Sequence, residues 1–186
     1  DNTTATAGTA YGIFQTGAVT GVNFQNNMIT LRRGGTGNKI GLYYSTTNSA
    51  ITSNGNNVYV SSTGTGLQLY GQFGTVTYAS LPLWQTANSG AYDANSKNIN
   101  PVYVNAAAGD LTPTALGTNN IGSVVNVPYD INGTPRLLSA PDPGAYEYSL
   151  PGLDAGITWV SPTSPATAGL KTIIVNCVNN LSTPIT

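Results

Sequence analysis

The sequence predicts an all-β solenoid, and three observations carry that prediction. The first is composition. Of 186 residues, six are Lys or Arg and seven are Asp or Glu, so only 7% are charged, against roughly 25% in an ordinary soluble domain. Thr (26), Gly (22), Asn (21), Ser (14) and eleven Tyr take their place. Thr, Val and Tyr suit a pleated, half-buried surface. The second is periodicity. No stretch keeps apolar residues at i, i+3, i+4 and i+7 over successive turns, whereas short apolar bursts bounded by Gly, Asn, Ser and Thr recur along the chain. The third is an internal repeat. Gly12-Ile13-Phe14 returns as Gly41-Leu42-Tyr43, 29 residues on, and Asn26-Asn27-Met28-Ile29 returns as Asn56-Asn57-Val58-Tyr59, 30 residues on. A period of this size marks a stacked array in which each repeat shares its core with the next.

The elements follow in order. Strands are expected at Tyr11–Phe14, Ala18–Phe24, Met28–Leu31, Ile40–Tyr44, Asn57–Val60, Leu67–Tyr70 and Thr75–Tyr78, with Asn residues of successive repeats stacked into an amide ladder. After about residue 80 prolines interrupt the pattern, at Leu81-Pro82-Leu83-Trp84 and Asn100-Pro101-Val102-Tyr103. Val102–Val104 and Val124–Val127 read as further short strands, and Ala106–Asn120 as loop. The stretch 106–148 carries four of the seven acids, Asp110, Asp130, Asp142 and Glu147. It is expected to close the open end of the solenoid, which otherwise presents unpaired strand edges. Leu150-Pro151-Gly152 reads as a linker. Two more strands are expected beyond it, at Ile157–Val160 and Thr172–Val178. The domain expectation is therefore a solenoid with its cap over 1–149, a linker over 150–153 and the beginning of a β-sandwich over 154–186. The chain reads as an ordered window on a longer polypeptide.

Composition also excludes functions. Without His there is no imidazole base, acid or metal ligand. One Cys makes no internal disulfide and, lacking His, no zinc site or Cys–His nucleophile. A net charge of −1 with scattered cations leaves no footprint for nucleic acid or an anionic membrane. No apolar run is long enough to span a bilayer. Hydrophobic residues at 40%, with abundant Tyr, argue against disorder.

Asp130-Ile131-Asn132-Gly133-Thr134-Pro135-Arg136 followed by Pro141-Asp142-Pro143-Gly144-Ala145-Tyr146-Glu147 resembles the C-terminal end of right-handed parallel β-helices of the pectin-lyase-like superfamily. It is most similar to large secreted and surface proteins of Bacteroidota, in which Ile is usual where Pro143 stands. The words at Asn26–Ile29 and Asn56–Tyr59 look like that superfamily's repeating turns, and Tyr92–Ser96 with Asn100–Tyr103 like its last coil. The resemblance covers roughly residues 10–148. Asp154-Ala155-Gly156-Ile157, Pro162, Gly169 and Val175–Asn180 resemble the first strands of an immunoglobulin-like β-sandwich, with Cys177 where a core Val is common. These resemblances imply a cell-surface adhesin exported by the type IX secretion system, gliding adhesins included.

They also imply a test for catalysis. Enzymes of this fold need clustered acids, for calcium or as a paired acid and base, and residues 2–92 contain no Asp or Glu. No catalytic residue, metal site or cofactor is nominated. Arg32, Arg33 and Lys39 form the only basic cluster and, with Tyr43 and Tyr44, are the candidate contacts for a glycan; the alternative is a solvated turn and buried aromatics. Tyr59, Tyr70, Tyr78 and Trp84 are further aromatics able to stack on sugars. Asp130, Gly133, Arg136, Asp142, Gly144, Tyr146 and Glu147 are assigned to the cap, where an Arg fork pairing a carboxylate fixes the segment. The expected role is non-enzymatic: a rigid, nearly uncharged extracellular module displaying a surface, with a polysaccharide, a surface, or secretion and motility machinery as partners, and neither nucleic acid nor membrane insertion. The alternative is the tail of a polysaccharide lyase or glycoside hydrolase whose catalytic turns lie upstream.

Overall fold

The computed structural model describes residues 7–45 and 50–149 and, as backbone only, Ala155–Ser161 and Ile174–Asn179. The expected linker at 150–153 lies outside the described residues. The chain divides into two compact units, Asp1–Ser149 and Leu150–Thr186. Among the described residues the protein is all-β apart from one short helix and a few 3-10 segments, and no helix is long and apolar enough to cross a membrane.

Strands β1 (Ala10–Gln15), β2 (Thr20–Gln25) and β3 (Met28–Arg32) are followed by β4 (Lys39–Tyr44), β5 (Ala50–Asn54) and β6 (Asn57–Ser61), and then by β7 (Gln68–Phe73). Each pairs in parallel with the strand three places later: β1 with β4 and β4 with β7, β2 with β5, and β3 with β6. Parallel neighbours need long connections, and here the connection is itself two strands of the same repeat. The turn between the second and third strands requires a left-handed residue each time. Asn26 (φ 57) and Gly55 (φ 65) supply it, the two residue types that tolerate that conformation best.

The register departs from the sequence reading by one residue. Ile13 lies beside Leu42 and Phe14 beside Tyr43, as the first repeated word implies. Met28, however, lies beside Asn57 and Ile29 beside Val58, so Asn27, not Asn26, stands over Asn56. The reason is a bulge. Thr20 pairs with Ala50, but the next matched residue is Val22, with Ile51; the extra residue, Gly21, sits at φ 71. The amide ladder is therefore Asn27–Asn56–Asp93. Asn27 Nδ2 donates to Asn56 Oδ1 at 2.9 Å, and Asn56 Nδ2 donates to Asp93 Oδ1 at 2.8 Å.

The parallel run ends at a hairpin. β8 (Val76–Tyr78) turns back at Gly74 and pairs antiparallel with β7. Ser80 then precedes a single helical turn, α1 (Leu81–Trp84), with proline in its first turn. The sequence pointed there only to an interrupted strand; Pro early in a helix costs nothing because its N–H would be unpaired anyway. Residues 93–99 add a further layer beneath β5 and β6. Asp93 N donates to Ser53 O, Lys97 N to Asn56 O and Val58 N to Lys97 O. The core is Leu42, Tyr44, Ile51, Val58, Tyr70, Phe73, Trp84, Ala87 and Tyr92. Trp84 stacks on Tyr92 at 5.6 Å, with Tyr44 and Tyr78 edge-on.

The expectation that residues 106–148 close the open end is corrected. Together with Tyr103 they lie along the flank, bonded to the first repeat and packed beside Gly55 and the 93–99 layer. Tyr103 Oη is 2.9 Å from Thr30 Oγ1, Gly144 N donates to Asn26 O at 2.7 Å, and the Asn26 amide is bonded on both sides to the Ser123 backbone. The end is covered instead by β8, α1 and the 93–99 layer. Ala50–Asn54 and Asp110–Pro113 (β10) are strands that the sequence reading missed. β10 pairs antiparallel with β9 (Tyr103–Asn105), whereas Val124–Val127 forms no strand. In the second unit β11 (Ala155–Ser161) pairs antiparallel with β12 (Ile174–Asn179); Thr172 and Ile173 of the expected strand lie outside the described residues.

Candidate functional site

The four-stranded sheet β1–β4–β7–β8 carries an exposed aromatic group. Phe14 and Tyr43 occupy one register column, continued by Gln72 and then Thr77. Their rings stack at 4.8 Å with an interplanar angle of 21°, and Tyr11 meets Phe14 at 4.6 Å and Tyr43 edge-on at 5.3 Å. Phe14 remains 54% exposed and Tyr11 38%. Such a cluster offers apolar faces and a phenolic hydroxyl at one place, which is what stacking on a ring with axial C–H groups and hydroxyls requires. Tyr11 and Phe14 were not among the sequence candidates. The repeat itself held the signal, since Phe14 takes the place of Tyr43 one period earlier.

The proposed glycan contacts separate. Tyr43 belongs to the exposed cluster. Tyr44 does not: it is fully buried, stacked on Phe24 at 5.4 Å, with its hydroxyl donating to Ser53 Oγ at 2.9 Å. Burial pushes that hydroxyl far above the ordinary tyrosine range. Tyr44 is one residue from Tyr43 and so falls on the opposite face. Lys39 is likewise fully buried, its Nζ donating to Gly35 O at 2.8 Å, and serves as a strap on the turn rather than as a surface cation. Arg33 is half-buried, and Arg32 is exposed and lines a groove with Asn100 and Tyr103. The basic cluster read from sequence is thus not one patch. Of the other aromatics, Tyr70 and Trp84 are buried in the core, and Tyr59 and Tyr78 are half-buried.

The acids are engaged in holding backbone. Arg136 reaches Glu147 Oε2 at 3.2 Å and donates to Asp142 O at 2.9 Å and Gly144 O at 2.7 Å. Glu147 accepts from the backbone N–H groups of Leu137 and Asp142 at 2.9 Å each. Asp142, fully buried, accepts from Asn120 N and Tyr148 N. Asp130 accepts from Asn132 N and Thr134 N around the left-handed Gly133, and from Glu147 N. Gly144 (φ 90) packs where a side chain would meet Met28 Cβ at 2.8 Å. Tyr146 is half-buried and lines a cavity with Met28 and Ile131.

Two of these carboxyls titrate with opposite sign. Hydrogen bonds, first from Glu147 N, hold Asp130 below the usual carboxylate range, whereas burial pushes Asp142 above it. A lowered group stabilises the fold above its unfolded pKa, and that stability is lost as pH falls through the folded value. For Asp142 the charge itself opposes folding as pH rises through its raised pKa. Acidification below the ordinary carboxylate range is therefore expected to release the Glu147 amide in hydrogen exchange, and Asp130→Ala to release it already at neutral pH. Unchanged protection of that amide in the variant would show that Asp130 does not hold it.

Asp93 is the remaining acid of the described core. It is fully buried and, among the described residues, has no cation partner: Ser53 Oγ and Trp84 Nε1 donate to Oδ2, and Ser96 Oγ and Asn56 Nδ2 to Oδ1, at 2.5–2.8 Å. Among the described residues no group of three or more His, Cys, Asp or Glu is placed to hold a metal ion. No family model, curated protein or solved structure matches the chain.

Proposed function

We propose that this chain is a non-enzymatic display and binding module of a large bacterial surface or secreted protein, an adhesin that holds polysaccharide on its exposed aromatic face. In this reading residues 1–149 are turns of a right-handed parallel β-helix of the pectin-lyase-like kind, and residues 154–186 begin an immunoglobulin-like β-sandwich. The type IX system of Bacteroidota is the export route that the resemblance suggests. The parallel pairing of every third strand, at a period of 29 residues in the matched pairs of β1 with β4 and of β3 with β6, supports the first part.

The observation that carries the binding role is the Tyr11–Phe14–Tyr43 cluster on a face built from residues with no carboxylate. A neutral, aromatic, hydroxyl-bearing surface favours stacking on sugar over ionic capture. The acids argue against catalysis by this segment. Asp93, Asp142 and Glu147 are withdrawn into backbone and side-chain hydrogen bonds, which leaves them poorly placed as the spaced pair that glycoside hydrolysis needs.

Affinity electrophoresis of the chain through gels holding xylan, β-glucan or polygalacturonate tests the reading. Retardation in at least one gel is expected. Phe14→Ala with Tyr43→Ala should weaken it about tenfold, the equivalent of roughly 1.4 kcal/mol. Retardation that the double variant leaves unchanged would remove the aromatic face from the argument, and release of reducing ends or unsaturated products would replace the adhesin with an enzyme. Intact mass and cell fractionation of the native protein test the surface assignment, for which a very large, cell-bound chain is expected.

A further inference from the structure

A polar cavity of about 480 Å³ opens between residues 94–97, in the layer beneath β5 and β6, and residues 120–124 of the flanking segment. Asn95, Lys97, Asn120, Ser123 and Ser139 line it. Lys97 is the single charged side chain among the lining residues. It is exposed, whereas Lys39 is buried and Arg136 is paired with Glu147. Asp142, the acid bonded to Asn120, does not line the cavity. It is fully buried, and its carboxylate accepts from Asn120 N and Tyr148 N.

The walls are held through backbone atoms. On one side Asn95 N donates to Asn54 Oδ1 and Lys97 N to Asn56 O, each at 2.8 Å. On the other, Asn120 N donates to Asp142 Oδ1 at 2.6 Å, Gly122 N to Pro141 O at 2.8 Å and Ser123 N to Asn26 Oδ1 at 2.6 Å. Asn120 sits at φ 58, a conformation that Asn tolerates. A side chain at Gly55 would meet Ser123 N at 2.7 Å, so this wall is packed tightly on the repeat. Among the described residues no hydrogen bond or ion pair engages the side chains of Asn95, Lys97, Asn120, Ser123 or Ser139. Their donors are open to a ligand, in a cavity largely formed before it arrives, as small-molecule sites are.

We propose that this cavity binds a sugar sulfate, a sulfate monoester carried on a pyranose ring, with the ester on Lys97 and the ring hydroxyls on the Asn and Ser side chains. An ammonium presents three donors around a point charge, and the amides and hydroxyls beside it add more. That set suits the three terminal oxygens of a sulfate ester. A carboxylate has two oxygens and is matched best by a guanidinium fork, which the cavity lacks. One cation balances the single charge of a sulfate ester, but not the roughly −1.5 to −2 of a phosphate monoester. Ile121 and Val124, the latter 60% exposed, add apolar surface to the lining, which the C–H groups of a ring can cover. The proposal does not rest on the aromatic face, since the Tyr11–Phe14–Tyr43 cluster and the cavity share no residue.

Amide chemical shifts of the whole chain, followed by NMR during titration, test it, with galactose 6-sulfate as the probe. The amides of Asn95, Lys97, Gly122 and Ser123 are expected to shift and saturate, with Kd on the order of a millimolar. Galactose, which lacks the charge, and inorganic sulfate, which lacks the ring, should bind about tenfold more weakly, and galactose 6-phosphate and galacturonate about threefold more weakly. Lys97→Gln should weaken the sulfate about tenfold and Lys97→Arg much less. Asn120→Gly, which keeps the left-handed backbone and removes an amide, should weaken it about threefold. Lys97 and Asn120 are exposed, so circular dichroism should show an unchanged fold. If Lys97→Gln unfolds, the salt dependence of the wild type reads the same charge, and binding indifferent to NaCl overturns the proposal. Phe14→Ala with Tyr43→Ala should leave the shifts unchanged. Shifts confined to Tyr11, Phe14 and Tyr43 would overturn the cavity while leaving the aromatic face standing. Absence of shifts around Lys97, equal binding by the wild type and Lys97→Gln, or any comparison ligand binding as tightly as galactose 6-sulfate overturns it too.

Discussion

Replacing Asp93 by Ala is expected to destabilise the first unit by at least about 4 kcal/mol, at the far end of what single substitutions do. The carboxylate is fully buried and accepts from Ser53, Trp84, Asn56 and Ser96. Its removal leaves four donors inside the protein without an acceptor, each costing roughly 1–3 kcal/mol if unrelieved. Hydroxyl rotation recovers part of this at Ser53 and Ser96, but the Trp84 indole N–H cannot rotate independently of its ring and loses its bond to Asp93. The network also spans repeats, because Asn56 is bonded upward to Asn27 and downward to Asp93. The loss should therefore be cooperative and not confined to the 93–99 layer. Asp93→Asn keeps one acceptor and should cost about half as much. Urea unfolding followed by Trp fluorescence reads both. If Asp93→Ala cannot be purified folded, Ser96→Ala samples the same network through the hydroxyl that bonds both Asp93 and Asn56 N, with a loss of about 1–2 kcal/mol expected. An Asp93→Ala protein within about 1 kcal/mol of the wild type would mean that the buried carboxylate is not a structural keystone.

The second large effect is expected at Gly71. A Cβ there would lie 2.5 Å from Trp84 Cζ3 and 2.8 Å from Cδ2, on the face of the indole. Trp84 is fully buried, stacked on Tyr92 and held by its bond to Asp93, so it cannot retreat. Gly71→Ala should cost about 3 kcal/mol, the upper range for overpacking. Gly71→Ala combined with Trp84→Leu should recover part of that loss, because the smaller side chain frees the space. Additive losses in the double variant would show that the glycine is needed for a reason other than the indole. Gly74, in the hairpin three residues beyond, is needed instead for its left-handed turn (φ 59), so its substitution should not respond to Trp84→Leu.

Strand-forming segments and the existence of a repeat were legible without coordinates, because both are local properties of composition and spacing. Gly12-Ile13-Phe14 against Gly41-Leu42-Tyr43 even predicted the right register for β1 and β4. The second repeated word misled by one residue, because a sequence match has no knowledge of a bulge. Gly21 takes up the extra residue in space, which puts Asn27 and not Asn26 over Asn56. That single step also decides which side chains are inside, since side chains alternate along a strand.

The candidate site was partly legible for the same reason. Tyr43 was nominated and lies in the exposed cluster. Tyr44 and Lys39, close to it in sequence, are buried. Arg32 and Arg33, adjacent in sequence, differ in exposure. Phe14 and Tyr11 were overlooked although the repeat aligns Phe14 with Tyr43. The pairing of Arg136 with Glu147 was an electrostatic inference available from residue types. Where that cluster sits, on the flank of the first repeat through Asn26 and Met28, was not, because the contacts join residues more than a hundred positions apart.

The sequence by itself determined that this is an all-β chain with a repeating unit, almost without charge, lacking every histidine-dependent chemistry and carrying no acid in its first repeats. These are consequences of composition and of periodicities shorter than one repeat. The tertiary structure alone decided which aromatics face water, that Asp93 in the core is held by four neutral donors, that residues 120–144 lie along the flank of the first repeats, and that a groove opens beside Arg32. Each of these depends on which distant backbones come within hydrogen-bonding distance, and one bulged residue or one reversed strand is enough to change the answer.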